Sequence, residues 1–292
     1  MIFLWNPKSG TADKERVKSL IEKKCIATLN LPEFHPTNAE GVYPELEQLI
    51  QQEKIKDIIA VGGDGTIRQV VAAFRHLPVR FGIIPMGSGN GLALAAGIPR
   101  NTHQAIDIVI TGNYSPVDAF LINDHFSLML SGIGFDAKVA HDFAKQKKRG
   151  LLTYAKVSLL HFFAARPYPF RIHLEGNTVE TEAFFLSIAN SNQFGNQFTI
   201  APKASLSDGL LDIVAVKRMN RLQIVPAVLH QLRFGKPQQD LFHKNKILYY
   251  QVSGLVVENP ELAPLHIDGD PFETSETFTI QCIPSAFQLI QP

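Results

Sequence analysis

The residues of this sequence best suited to chemistry lie in glycine-bearing stretches that follow apolar runs. In IIAVGGDGTIRQVVAAF, residues 58–74, the apolar run stops at Gly62 and Gly63, and a carboxylate follows at Asp64. Gly65 and Thr66 then lead into apolar residues at helical spacing. NPKSG (Asn6, Pro7, Lys8, Ser9, Gly10) follows the first apolar run, and PMGSGNG, residues 85–91, follows a later one. Each stretch offers backbone N–H groups beside a helix start, where hydrogen bonding and the helix dipole both favour an anion. Glycine lets a phosphate approach the main chain with no β-carbon in the way. Lys8 adds a positive charge, and Ser9, Thr66 and Ser88 add hydroxyl donors. A carboxylate in such a cradle would repel an anion unless a cation intervened, so Asp64 points to Mg2+ bridging it to a nucleotide. Neither the P-loop nor the GxGxxG pattern is present. NPKSG taken singly reads equally well as a plain strand-to-helix turn, and it is the recurrence of three such turns that argues for a phosphate site.

The elements that must position these turns follow from hydrophobic periodicity. Residues 1–116 alternate short apolar runs with amphipathic segments. MIFLW reads as a strand, the segment around Val17, Leu20 and Ile21 as a helix, and ATLNLPEFHPT as a second strand. YPELEQLIQQE reads as a helix, DIIAV as a buried strand, residues 66–74 as a helix and FGIIP as a strand with a short helix after it. This βα alternation predicts a three-layer α/β domain with a parallel sheet, whose strand ends at one edge carry the ligand loops. Near Ser115 and Pro116 the pattern changes. Strands are expected over VDAFLI and FSLML, a hairpin in residues 170–189 folded at Gly176–Asn177, and further strands over ILYYQVSGLVVE and TFTIQCIP. A helix pair within 137–165 and a helix over 220–234 interrupt them. The expectation is a second domain, 117–292, built as an antiparallel β-sandwich, with the last few residues able to return to the first domain.

Composition narrows the classes. The chain has 292 residues, a formal net charge of +1 and two cysteines, Cys25 and Cys282. Such a charge gives no whole-molecule reason to expect nucleic acid as a partner. Two distant cysteines suggest neither a disulfide framework nor a zinc site, and the expected compartment is cytoplasmic. MIFLWNPKSG lacks the features of a signal peptide, and no stretch approaches the length that spans a bilayer. Membrane contact, where it exists, is expected to be peripheral, at the inner face. The ten histidines show no ligand spacing, and His35, His125 and His266 read as solvated or hydrogen-bonded structural residues. The cluster Lys145, Lys147, Lys148 and Arg149 reads as a solvated helix face that could also meet anionic headgroups.

The trio NPKSG, VGGDGTIRQVV and PMGSGNGLA, joined by GIGFDAKV (132–139), APKASLSDGLLDIVAV (201–216) and HIDGDP (266–271), resembles the diacylglycerol kinase catalytic-domain family over nearly the whole chain. That family includes sphingosine and ceramide kinases and soluble bacterial lipid kinases. The resemblance implies an ATP- and Mg2+-dependent lipid kinase acting on a primary hydroxyl, as in diacylglycerol or a sphingoid base, with nucleotide and lipid meeting between the two domains. It further implies ATP contacts from Asn6 to Gly10, Thr37, Gly62 to Thr66 and Ser88, with Asp64 organising Mg2+ and the phosphates. Asp208, with main-chain oxygens of Ser205 and Leu210, would hold a separate structural cation, Asp212 being the nearby alternative. Asp136 would contact the lipid head. Asp270 would be the general base, one methylene shorter than the usual Glu and about 1.5 Å shorter in reach, with Asp268 as the alternative. Arg68 and Gln69 stand where relatives carry Asn and Glu. Two other readings stay open: an NAD kinase, which shares GGDGT, and a non-catalytic nucleotide- or lipid-binding regulator.

Overall fold

The computed structural model describes residues 1–7, 14–27, 31–144, 165–192, 199–218 and 246–292. The chain divides into two compact units, Met1–Val117 with Ser285–Pro292, and Asp118–Pro284. In the first, the runs read as strands and helices become β1 (Ile2–Trp5), α1 (Lys14–Ala27), β2 (Glu33–Pro36), α2 (Pro44–Gln52), β3 (Asp57–Gly62), α3 (Asp64–Phe74), β4 (Arg80–Pro85), α4 (Gly91–Ala95) and α5 (Thr102–Thr111). Local chemistry sets several of these bounds. Pro44 opens α2 at a position where its missing N–H costs nothing. Asn101 caps α5 by accepting the Gln104 N–H at 3.2 Å.

The strands run parallel in the order β2-β1-β3-β4, and Gln288 and Leu289 of the last strand, β15 (Thr277–Gln291), add beside β4 in the same sense. All six residues of β3 are buried, which requires cover on both faces. On one face Val17, Ile21 and Cys25 of α1 and Ile106 and Val109 of α5 pack with Phe3, Ile59, Val61 and Ile84. α3 packs on β3 and buries Ile67, Val70, Val71 and Phe74, and Tyr43 stacks on Phe74 with ring centroids 5.3 Å apart. Asp57 and Arg80, opposite each other on β3 and β4, form a two-pronged ion pair at 2.6 and 2.9 Å.

Nine strand pairings among the described residues of the second unit are antiparallel. Its elements are the end of β5 (Asn113–Ile122), β6 (His125–Ser127), β7 (Leu130–Gly134), α6 (Phe135–Ala144), β8 (Tyr168–Leu174), β9 (Asn177–Ala189), β10 (Leu211–Lys217), β11 (Ile247–Val252), β12 (Gly254–Glu258), β13 (Leu265–Ile267), β14 (Asp270–Phe272) and the start of β15. β9 is long enough to serve two neighbourhoods, pairing β8 with its first half and both β7 and β10 with its second. The inward residues, among them Phe120, Ile133, Phe170, Leu186, Ile213, Val257, Leu265 and Phe278, make one core.

The strand expected over FSLML is divided. β6 stops at Ser127 and β7 starts at Leu130, because the Leu128 and Met129 amides donate to the Asp268 carboxylate instead of to a neighbouring strand. Of the expected helix pair, α6 is described to Ala144; its remainder, the cluster at 145–149 and the helix expected over 220–234 lie outside the described residues. Among the described residues no helix is long and apolar enough to cross a membrane.

Neither cysteine forms a disulfide and both are buried, and burial pushes both pKa values up, that of Cys282 to about 11 with the Asp118 and Asp208 charges adding to the rise. A raised thiol pKa favours the neutral form in the folded state. The contribution is therefore fully present below the ordinary thiol value and is lost as pH rises through about 11. At about pH 8 the native protein should leave a disulfide reagent such as DTNB unconsumed, and about 6 M guanidinium should release both thiols to it. Rapid native labelling at Cys282 would contradict the burial.

Candidate functional site

Parallel pairing brings four strand ends to one level. Trp5 lies opposite both Pro36 and Val61, and Gly62 lies opposite Pro85, so the segments beginning at Asn6, Thr37, Gly63 and Met86 leave the sheet along the same edge. Backbone bonds tie the segments together: Asn6 N–H to Val61 O at 3.3 Å, Thr37 N–H to Trp5 O at 2.8 Å and Met86 N–H to Gly62 O at 2.8 Å. Asn6 Nδ2 donates to Thr66 Oγ1 at 3.3 Å, linking the first turn to the second. Asn6, Pro7, Thr37, Gly62, Gly63, Asp64, Gly65, Thr66 and Ser88 therefore share this edge, whereas Lys8, Ser9 and Gly10 lie outside the described residues.

The glycines have a reason beyond phosphate access. A β-carbon on Gly87 would stand 2.7 Å from Gly63 Cα, and one on Gly89 would stand 2.9 Å from Asp64 Oδ2. The two loops pack backbone to backbone, leaving a cradle that side chains would fill. Asp64 is the first residue of α3, so its charge also complements the helix dipole. α4 has only five residues, and the 86–90 loop relies on its own amides rather than on a helix dipole. This cradle of main-chain amides and hydroxyls with one carboxylate fits a phosphate-bound hard cation.

Two side chains to which sequence reasoning gave no role shape this edge. Asn90 is 2% exposed with φ +55°, and it holds Gly87 from both sides, accepting its N–H on Oδ1 and donating Nδ2 to its carbonyl, each at 2.8 Å. Asparagine between glycines is the signal, since it tolerates left-handed backbone and can bond its own turn. Gln69 donates to the Asn38 carbonyl at 2.6 Å and so pins the segment after Thr37 to α3. That contact gives the departure from the family's Glu a local role.

In the second unit the SDGLLD turn is rich in oxygen. Asp208 accepts the Leu210 N–H at 3.1 Å, Asp118 Oδ2 accepts the Gly209 N–H at 2.7 Å, and the fully buried Asp212 accepts the Tyr249 hydroxyl. Burial, and secondarily the Asp208 charge, raise the Asp212 pKa, while burial and the Asp212 contact raise that of Tyr249. Asp208 is the exposed member, beside Ser205 and Leu210, and among the described residues no group of three or more His, Cys, Asp or Glu side chains is arranged to hold a metal ion.

Asp270 is exposed at the start of β14. Asp268, its alternative as a base, is an anchor: Oδ1 accepts Ser127 Oγ at 2.9 Å and the Met129 and Leu130 amides at 2.9 and 3.1 Å, and Oδ2 accepts the Leu128 amide at 3.0 Å. These four donors occupy the acceptor sites that a substrate hydroxyl would need. Asp136 is 6% exposed, and its carboxylate accepts the Ala137 N–H and the Ser187 hydroxyl.

Comparison with known proteins follows the same division. A family model described as diacylglycerol kinase catalytic domain matches residues 1–122, and one described as YegS C-terminal NAD kinase beta sandwich-like domain matches residues 130–291. A protein of Bacillus subtilis (strain 168) named diacylglycerol kinase is 27% identical over 273 residues, covering 92% of this chain and 88% of its own length. A Shewanella frigidimarina protein named "Probable lipid kinase YegS-like" is 27% identical over 248 residues, covering 82% and 78%. A crystal structure from Bacillus anthracis str. Sterne, described as a diacylglycerol kinase, aligns with a TM-score of 0.76 at 21% identity over 100% of this chain and 96% of its own.

Asn90 should behave as a turn-holding residue. Asn90→Ala loses two hydrogen bonds and leaves a β-carbon on a left-handed backbone that asparagine tolerates better than alanine, at a cost of about 2–4 kcal/mol, whereas Asn90→Gly should lose about 1 kcal/mol less. Urea denaturation of the two variants checks the order, and an alanine variant as stable as the glycine variant would remove the strain argument.

Proposed function

The chain belongs to the diacylglycerol kinase catalytic-domain family, in the form that carries a YegS-like C-terminal β-sandwich, and from that premise we propose that it transfers the γ-phosphate of ATP, with Mg2+, to the primary hydroxyl of a lipid such as a diacylglycerol or a long-chain sphingoid base. The observation that carries this reading is the cradle at Gly63, Asp64, Gly87 and Gly89, where two loop backbones meet beside a carboxylate at a helix start. Bound there, Mg2+ would neutralise phosphate charge and the nucleotide would supply the phosphoryl group.

The chain's own residues then act by position. The amides of residues 63–66, 88 and 89, the Thr66 and Ser88 hydroxyls, and the Asn6 and Thr37 turns offer donors fixed before the nucleotide arrives, and fixed donors cost no reorganisation as charge shifts in transfer. By the family resemblance, Lys8, Ser9 and Gly10 would add donors for the nucleotide phosphates. Asp64 holds the cation against this edge. Asp270 accepts the proton of the lipid hydroxyl, while Asp208, with Ser205 and Leu210 carbonyls and Asp212 nearby, holds a second cation that braces its turn. Contact with the membrane is peripheral, at the surface that presents the lipid.

An NAD kinase reading keeps one supporting observation, the description of the family model over residues 130–291. The names of the full-length relatives favour a lipid instead. The test is transfer of radiolabelled phosphate from ATP to a total lipid extract, with NAD as a parallel acceptor. A labelled lipid is expected. Labelled NADP alone would install the NAD kinase reading, and ATP binding with no transfer to any acceptor would favour a regulator. Asp64→Asn and Asp270→Asn should each lower kcat by about 100-fold or more, while Asp270→Glu, which restores the family's usual side chain, should keep at least about a tenth of it.

A further inference from the structure

A buried pair of titratable side chains in the second unit has no part in the reaction set out above. His266, on β13, is 0% exposed, and its Nε2 lies 3.5 Å from Oδ2 of Asp136, the second residue of α6. Asp136 is itself held by the Ala137 N–H on Oδ1 at 2.8 Å and by the Ser187 hydroxyl on Oδ2 at 3.3 Å. The sheet register explains how the pair fits. On β7, Gly132 lies opposite His266 of β13 on one side and opposite Ser187 of β9 on the other. A β-carbon on Gly132 would fall 1.9 Å from Asp136 Oδ2 and 2.6 Å from His266 Nε2, so this glycine is the notch in which carboxylate and imidazole meet.

The other ring nitrogen reaches the turn that presents Asp270. His266 Nδ1 accepts the Gly269 N–H at 3.2 Å. A nitrogen that accepts carries no proton, so the ring proton is assigned to Nε2, on the side of Asp136. Asp268 and Gly269 have φ of +49° and +87°, two successive positive values of the sort a tight two-residue hairpin needs, and they join strands of only three residues each. β14 ends the strand order, with β13 as its neighbour. So short a hairpin is not rigid by itself. Asp268 clamps its first turn residue and His266 its second.

We infer that Asp136 and His266 are positioning residues, a buried pair that fixes the Gly269 amide and thereby sets where the Asp270 carboxylate stands. The inference rests on the reading of Asp270 as the general base. It explains why Asp136 points inward, and it assigns His266 a task that its apolar strand context hides. For a base that must approach an alcohol to hydrogen-bond distance, a shift of about 1 Å is enough to cost on the order of 100-fold in rate.

The test compares wild type, His266→Leu, which removes the acceptor and keeps bulk, and His266→Asn, which keeps an acceptor oxygen close to the Nδ1 position. Two readouts are taken: steady-state kinetics with ATP and lipid, and hydrogen exchange of the Gly269 amide. The leucine variant should lose about 30-fold or more in kcat, with both KM values within about threefold, and should exchange Gly269 at least about tenfold faster. The asparagine variant should recover both to within about fivefold of wild type. Wild-type kcat and exchange in the leucine variant would overturn the inference, and so would an asparagine variant as impaired as the leucine one. Should the leucine variant show no cooperative melting, Gly132→Ala is read in its place: loss of kcat at constant KM supports the pair, and wild-type values overturn it. If the wild-type protein phosphorylates no lipid, the kinase reading alone fails, and the Gly269 exchange rates still decide whether His266 holds the turn.

Discussion

Two loops at the carboxyl edge of the parallel sheet approach so closely that a β-carbon at Gly87 would come within 2.7 Å of Gly63 Cα, and the arrangement of the first unit follows from making that approach possible. It requires β3 and β4 to end level, which their register from Asp57 with Arg80 to Gly62 with Pro85 provides. It also requires the start of α3 to be fixed, and the buried stripe of Ile67, Val70, Val71 and Phe74 docks that helix. Buried apolar area thus locates the helix, while the glycines settle the last ångström, at which a phosphate either meets the amides or does not.

Both units solve the same local problem in the same way. A loop that must present functional atoms adopts positive φ, at Asn90 in one case and at Asp268 and Gly269 in the other. Such backbone is costly for residues other than glycine, and each turn is held by a polar side chain whose hydrogen bonds return to the turn itself. Asn90 grips both sides of the Gly87 peptide unit, while His266 takes the Gly269 amide and Asp268 gathers donors from residues 127–130. Side-chain bonds of this kind over-determine a conformation that the local chain would otherwise abandon.

The parallel layer was legible because its signals are local: DIIAV followed by GGDGT and then Ile67, Val70, Val71 and Phe74 specifies a strand, a turn and a docked helix within one short stretch. The antiparallel half was harder to read. FSLML looks like one strand, yet its middle amides turn to Asp268, a residue about 140 positions away that no periodicity reveals. The same long-range dependence hid His266. Within HIDGDP it is one polar residue between Leu265 and Ile267, and its task emerges only when β7 brings Gly132 beside it and α6 brings Asp136 above the glycine. Asp136 was noticed for its family position, but its orientation is set by Ser187 on a third strand.

The SDGLLD turn carries the argument from hydrogen bonds to charge. Asp212 is fully buried and its pKa is raised, first by burial and further by the charge of Asp208, against the opposing effect of the Tyr249 hydroxyl. A carboxyl raised in the folded state favours folding only while it is protonated. That contribution is complete below its ordinary value and disappears as pH rises through the raised one. Asp118 brings a third carboxylate, held by the Gly209 amide of the same turn. Lys203 supplies some opposing positive charge, and it also lies over the Tyr249 ring with Nζ 5.5 Å from the centroid. A compact divalent charge at Asp208 would offset these carboxylates more fully than one flexible ammonium, because it brings twice the charge at contact distance.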